Sequence, residues 1–146
     1  MRFWDTSAIV PLFVGQVSSP VSDLWIREDP HTAIWTLTDI EILSALHRLF
    51  RQRELSQSEL AEAERRAGIF LEGATLTADL AALRPIASRV LRTYDLRAAD
   101  ALQLAAALLW AEGSPTGRVF HTFDRRLATA AMREGFTVPQ PPQPPA

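Results

Sequence analysis

Four carboxylates stand out by position. Asp5 closes a short apolar run, Arg2 to Trp4. Glu41 opens an amphipathic segment, Asp100 heads the most apolar stretch of the chain, and Asp124 follows the run Val119 to Thr122. Strands end and helices begin at such places, so one edge of a sheet can gather all four. Carboxylates forced together repel one another unless a cation neutralises them. Mg²⁺ and Mn²⁺ are hard cations that take oxygen ligands in octahedral geometry. A cation so held polarises a phosphodiester, generates hydroxide from water and stabilises the leaving oxygen, and two can clamp an in-line displacement. Neither histidine nor cysteine is required.

Each acid also has a purely structural reading. Asp5 is placed to cap a short helix. Glu41 completes a Thr38-Asp39-Ile40-Glu41 capping box, Asp100 sits at the positive end of a helix, and Asp124 is a natural N-cap for Arg125 to Glu134. Caps contribute roughly 0.5–2 kcal/mol and dipole effects less. The two readings are compatible, because a helix start both holds a carboxylate ionised and welcomes a phosphate.

Composition narrows the chemistry. The chain has 146 residues, enough for one domain with a real core. It has no cysteine, hence no disulfide framework, thiolate metal site or cysteine nucleophile, which fits a reducing cytoplasm. It has no lysine either. That excludes phosphate-loop lysines, Schiff-base chemistry and Ser-Lys dyads. Phosphatases that start on an aspartate after a first strand need a lysine and a second aspartate two positions on, where this chain has Ser7. The net charge of −2 argues against binding nucleic acid through bulk positive charge. An RNA ligand would need bound metal ions or a local arginine patch. The N-terminal residues do not read as a signal peptide, and Ala98 to Trp110 is too short to span a membrane.

The elements that must position the acids follow from periodicity and punctuation. Short strands are expected at Arg2 to Trp4, His31 to Trp35, Thr75 to Thr77, Arg118 to Thr122 and Phe136 to Val138. Helices are expected at Ala8 to Val14, Pro20 to Arg27, Thr38 to about Gln52, Ser56 to Gly73, Pro85 to Thr93, Ala98 to Ala111 and Arg125 to Glu134. Ser56-Gln57-Ser58-Glu59 is a second capping box, and Pro85 occupies a first-turn position. The alternation predicts an α/β domain with a mostly parallel central sheet covered on both faces, spanning 1–138. The residues 139–146, rich in proline, predict a solvated polyproline tail. In such sheets ligands sit outside the carboxyl ends of the strands.

The residues also carry a family resemblance. Trp4-Asp5-Thr6-Ser7-Ala8, then Thr38-Asp39-Ile40-Glu41 with Leu43-Ser44-Ala45-Leu46, then Ala99-Asp100-Ala101-Leu102-Gln103-Leu104, then Thr122-Phe123-Asp124-Arg125-Arg126-Leu127 resemble in order and spacing the four acidic blocks of the PIN domain, in particular the small VapC-type toxins. The resemblance runs from Met1 to about Val138. It implies a three-layer α/β/α fold and a Mg²⁺- or Mn²⁺-dependent endoribonuclease. It makes Asp5, Glu41, Asp100 and Asp124 the acidic site, with Asp5 and Asp100 as direct metal ligands and Glu41 and Asp124 completing the shell. Thr6 and Thr122 match hydroxyls that flank such acids; backbone hydrogen bonding at a turn is their alternative role. Asp39 lies at another angle and is left out.

The resemblance further implies an RNA substrate, a homodimer and a cognate antitoxin protein whose segment blocks the acidic cleft. Two alternatives stand beside it: a PIN-like module that binds RNA or protein without cutting, and a PIN nuclease of RNA maturation. Trp4 departs from the pattern, where a smaller aliphatic residue is usual. Arg97, Arg125 and Arg126 neighbour the acids in sequence and are candidates for phosphate contact. The apolar residues from Ile42 to Phe50, with Trp25 and Trp110, are either core or a partner surface. His31, His47 and His121 lack ligand spacing and read as structural.

Overall fold

Every residue of the second strand is buried on both faces of the sheet, and the rest of the architecture follows from covering it. The computed structural model describes residues 1–140. Four strands, β1 (Arg2–Trp4), β2 (Thr32–Trp35), β3 (Thr75–Thr77) and β4 (Phe120–His121), pair in parallel in the order β3-β2-β1-β4. Parallel neighbours require crossovers, and helices supply them. α1 (Thr6–Ile9), a 3₁₀ turn (Val10–Leu12) and α2 (Ser19–Glu28) lead from β1 to β2. α3 (Thr38–Arg51) and α4 (Gln57–Gly73) lead to β3, and α5 (Leu80–Thr93) and α6 (Ala98–Trp110) lead to β4. α7 (Arg125–Glu134) follows. The result is the expected three-layer α/β/α arrangement with an all-parallel central sheet.

Alternation along the strands divides the interior in two. Phe3, Ala33, Trp35 and Phe120 pack with α5, α6 and α7. Trp4 and Ile34 point the other way, into a core with α1, α2, α3 and α4. α6 is enclosed as its composition predicts: Ala101, Leu104, Ala105, Ala106 and Ala107 are all fully buried. Its alanines let neighbouring backbone approach closely, which holds the start of the helix, and Asp100 with it, against the sheet.

Several boundaries differ from the sequence expectations, each for a local reason. The first helix starts at Thr6, because the Asp5 side chain caps it by accepting from the Ser7 N–H; it then tightens into the 3₁₀ turn at Pro11. α5 starts five residues before Pro85, capped by Asp79, which accepts from the Ala82 N–H at 3.0 Å. The run Leu80 to Arg84 favours a helix, and burying Leu83 completely offsets the interior proline. The box at Thr38 does not form: Leu37 is the N-cap residue, no side chain caps the helix, and Glu41 turns elsewhere. The box at Ser56 and Glu59 does form. The expected final strand is reduced to one parallel bridge between Val119 and Thr137. Of the expected tail, residues 141–146 lie outside the described residues.

The aromatic residues resolve cleanly. Trp4, Trp25, His121 and Phe123 stack in series behind Asp5, with centroid separations from 4.3 to 6.2 Å. Trp4, the departure from the family pattern, is thereby wholly buried, and Trp25 is core. Trp110 is only partly covered and lies under the Arg118 guanidinium. His121 is held neutral, its pKa pushed down to about 3 chiefly by burial and secondarily by the Arg2 charge. His47 and His31 pair with Glu64 and Asp29. Among the described residues no helix is long and apolar enough to cross a membrane.

α7 ends at Gly135, whose φ of +109° is left-handed and whose added Cβ would stand 3.3 Å from Pro115 Cγ. Gly135→Ala is therefore expected to cost about 1–3 kcal/mol in urea unfolding. An unchanged midpoint would show that this stop does not constrain α7.

Candidate active site

Asp5 leaves the carboxyl end of β1 and is 5% exposed. Its backbone N–H donates to the His121 carbonyl at 2.9 Å, which extends the pairing of β1 with β4 by one residue. Sheet order reverses here: the chain proceeds from β1 to β2 and β3 on one side, while β4 returns on the other. This is the crevice where open α/β sheets bind ligands. One carboxylate oxygen, Oδ2, accepts from the Ser7 N–H, the Ser7 hydroxyl and the Thr122 hydroxyl. Among the described residues no hydrogen bond reaches Oδ1. The two hydroxyls are oriented in turn by the loop after β4, since Phe123 N–H donates to Ser7 Oγ at 2.9 Å and Asp124 N–H to Thr122 Oγ1 at 3.0 Å. Burial nevertheless dominates. It pushes Asp5 up from 3.8 to about 6; the hydroxyl donors oppose this and the Glu41 charge adds to it.

Glu41 is placed by α3 but anchored by three other elements. Its Oε1 accepts from the Trp35 indole at 3.0 Å, at the end of β2. Its Oε2 accepts from the Thr6 hydroxyl at 2.8 Å and from the Gln103 amide at 2.9 Å. Gln103 also donates to Thr6 Oγ1 at 3.1 Å, so a single amide ties α6 to both α1 and α3. Gln103 is 1% exposed and its Oε1 has no partner. The capping reading of Glu41 is thus not met: its carboxylate bonds Trp35, Thr6 and Gln103 instead.

Asp100 lies three residues before Gln103, on the same side of α6. Its carboxyl is half-buried and accepts from no side chain. Its pKa is raised, first by burial, then by the Asp124 charge, with Glu41 adding; the Arg97 backbone and guanidinium partly compensate. Asp124 takes the capping role read from the sequence. Its Oδ1 caps α7 by accepting from the Leu127 N–H at 2.8 Å. Its charge is also felt at Asp100.

The four expected acids therefore share one rim and one electrostatic field. Among the described residues they do not converge into a preformed cage of three ligands. Asp5 and Glu41 are fixed by side-chain donors, whereas Asp100 has none among the described residues. Thr6 and Thr122 serve the acids directly, and Asp39 instead bonds its neighbour's N–H at 2.7 Å. Sequence reasoning missed Ser7, Trp35 and Gln103 as positioning residues. A signal was available for Gln103: a polar residue on an otherwise apolar helix, one turn after an aspartate.

The family model of the PIN domain matches residues 2–132. The chain belongs to the PIN-domain family. It is 36% identical over 137 residues to two curated Mycobacterium tuberculosis proteins, Ribonuclease VapC45 and Ribonuclease VapC49, covering 93% of this chain and 92% of each relative. Its fold matches a toxin–antitoxin complex from Klebsiella pneumoniae (TM-score 0.64, 18% identity, 88% of this chain and 91% of that one). It also matches FitAcB from Neisseria gonorrhoeae (TM-score 0.64, 15% identity, 94% and 96%).

Within this PIN site the donor set fits a hard divalent cation: all candidate ligands are oxygens, and the most buried acid keeps one oxygen free. Two outcomes test the roles assigned. The Asp5 carboxyl titrates near 3.8 when unfolded and near 6 when folded. Between those values the native state holds the extra proton, so this group's contribution to stability falls as pH rises and the full penalty applies above about 6. At about 1.4 kcal/mol per pKa unit it amounts to about 3 kcal/mol. Asp5→Asn, in EDTA, is expected to melt higher than wild type at pH 8, with most of that advantage gone by pH 4.5. An equal advantage at both would refute the burial penalty. Separately, Asp124→Asn should keep the α7 cap while Asp124→Ala loses about 1 kcal/mol. If the two variants are equally stable, Asp124 is not a cap.

Proposed function

We propose that this chain is a Mg²⁺- or Mn²⁺-dependent endoribonuclease and the toxin of a toxin–antitoxin pair acting in the cytoplasm. The observation that carries the reading is the state of Asp5: buried, held by three donors on one oxygen, with no hydrogen bond to the other among the described residues, and within the field of Glu41. The names of the relatives, ribonucleases covering nearly the whole chain, support RNA as substrate. One structural neighbour, a toxin–antitoxin complex, supports an antitoxin partner.

Asp5 and Asp100 are the residues that would hold the cation directly, with Glu41 and Asp124 completing the shell. When bound, the cation supplies charge stabilisation for the phosphodiester and lowers the pKa of attacking water. The chain's own contribution is positional. Ser7 and Thr122 fix the direction of the Asp5 carboxylate. Thr6, Trp35 and Gln103 fix Glu41, so two acids are aimed before substrate arrives and need no reordering during the reaction. Protons and cation compete for Asp5, so activity is expected to fall as pH drops through about 6.

α3 carries an outward stripe of Ile40, Leu43 and Phe50, all exposed. These residues recur at helical spacing on one face, while Ile42, Leu46 and Leu49 face the core. Such an apolar stripe suits a protein partner, either the antitoxin or a second copy in a homodimer.

Purified protein should cut a mixed pool of structured RNA with Mg²⁺ or Mn²⁺, and not in EDTA. Asp100→Asn should lower the rate at least a hundredfold without lowering the melting temperature. Inactivity of the wild type with both metals, together with no metal binding by calorimetry, would transfer the chain to the non-cleaving, binding-module reading.

A further inference from the structure

A groove of about 320 Å³ lies between the α5–α6 connection and α7, lined by Thr93, Tyr94, Asp95, Arg125, Arg126 and Arg133 among others. We propose that this groove binds the phosphates of a single RNA strand where it leaves the acidic site. The proposal rests on the nuclease reading above and extends it to the path of the substrate.

Position makes the first case. Arg125 and Arg126, on one wall of the groove, directly follow Asp124, the N-cap of α7, and Asp95, on the other wall, lies five residues before Asp100, so each wall connects along the chain to one of the acids. Arg126 and Arg133 are seven residues apart on one face of α7. That separates them by about 10 Å along the axis, enough to engage two different phosphates. Leu127, Ala128 and Ala131 anchor the opposite face in the core, so the guanidiniums stand on a rigid support.

Hydrogen-bonding capacity makes the second. The groove's hydroxyls already donate elsewhere: Thr93 to the Arg89 carbonyl, Thr129 to the Arg125 carbonyl, and Tyr94 to Glu134. Guanidinium groups are what remains, and they match phosphate with paired, directed donors. Among the described residues Arg125 and Arg133 make no ion pair. Arg126 meets Asp95 at 3.3 Å, but both side chains are largely exposed, at 68% and 91%. An exposed pair of this kind contributes little and yields readily to a phosphate. The contrast is Arg89, gripped at 2.8 Å by both oxygens of Glu134.

The strand rather than a lone anion is favoured by the Tyr94 ring, an aromatic surface beside the arginines of the kind on which bases stack. It is favoured also by the overall charge. A chain of net charge −2 with four acids at its active rim repels RNA in general, so a local run of guanidiniums, of which only Arg126 makes an ion pair among the described residues, is the feature that attracts it.

The test measures binding of a labelled 12-nucleotide single-stranded RNA in EDTA, in an Asp100→Asn background so that nothing is cut. Arg126→Ala/Arg133→Ala is compared with Arg48→Ala/Arg51→Ala, which removes the same charge from exposed sites on α3. The groove variant is expected to weaken binding at least tenfold and to flatten the slope of log affinity against log salt by about 1.4, two phosphates at about 0.7 each. The α3 variant should change affinity less than twofold. Equal losses in the two variants would reduce the groove to a long-range field and overturn the proposal. So would intact RNA binding with loss of a polyglutamate peptide measured in parallel, which would assign the groove to an acidic protein segment. If wild type cleaves RNA and the groove variant binds as well as its parent, the groove alone fails. If the wild-type chain neither binds nor cleaves RNA, the nuclease reading fails and the groove with it.

Discussion

Removing the Asp5 carboxylate from water is the constraint around which the rest is arranged. A buried charge is costly unless donors or an opposite charge compensate it. Here the compensation is half complete. Ser7 and Thr122 satisfy one oxygen, and the remaining burden is visible as a pKa raised to about 6. A fully satisfied carboxylate would be a structural residue with a depressed pKa. One with no donors would be protonated at neutral pH and mobile. The intermediate condition leaves an aimed, anionic oxygen with a free lone pair, which is what a hard cation requires.

That condition depends on contacts distant in sequence. Thr122 reaches Asp5 only because β4 returns to pair with β1, and the loop after β4 then orients Ser7 through the Phe123 N–H. Glu41 is aimed by an indole from β2, a hydroxyl from α1 and an amide from α6. The buried aromatic stack of Trp4, Trp25, His121 and Phe123 supports the same corner, and neutral His121 adds no charge that would compete for the acids. The site is thus a junction of elements, and tightening any one of them tightens the others.

This explains which features were legible in the sequence. The three-layer fold followed from alternating short strands and helices, because burial on both sheet faces leaves continuous apolar runs. The acids were legible because each falls where an element begins or ends. Trp35 and Gln103 take their roles from partners that the fold brings to them, and Ser7 is oriented by the Phe123 N–H from a distant loop; of the three, only Gln103, polar on an apolar helix, left a signal in the sequence. The capping box at Thr38 misled for a related reason: Glu41 has better partners in three dimensions than the backbone of its own helix. Pro85 misled because local propensity before it, with the Asp79 cap, outweighed the proline rule.

Asp124 shows why the capping and catalytic readings need not compete. One of its oxygens holds the start of α7, leaving the other and the group's charge to act on Asp100. A cap fixes its side chain within the first helical turn, so capping costs the site nothing and supplies orientation. It also couples the acid to the helix that carries Arg125, Arg126 and Arg133. Asp124 and the three arginines are therefore parts of one rigid element, and their separation is set by the helix repeat. For a protein with no lysine and a slight negative charge, such fixed spacing matters more than total charge. The attraction for a polyanion has to be local, and it has to begin where the carboxylates end.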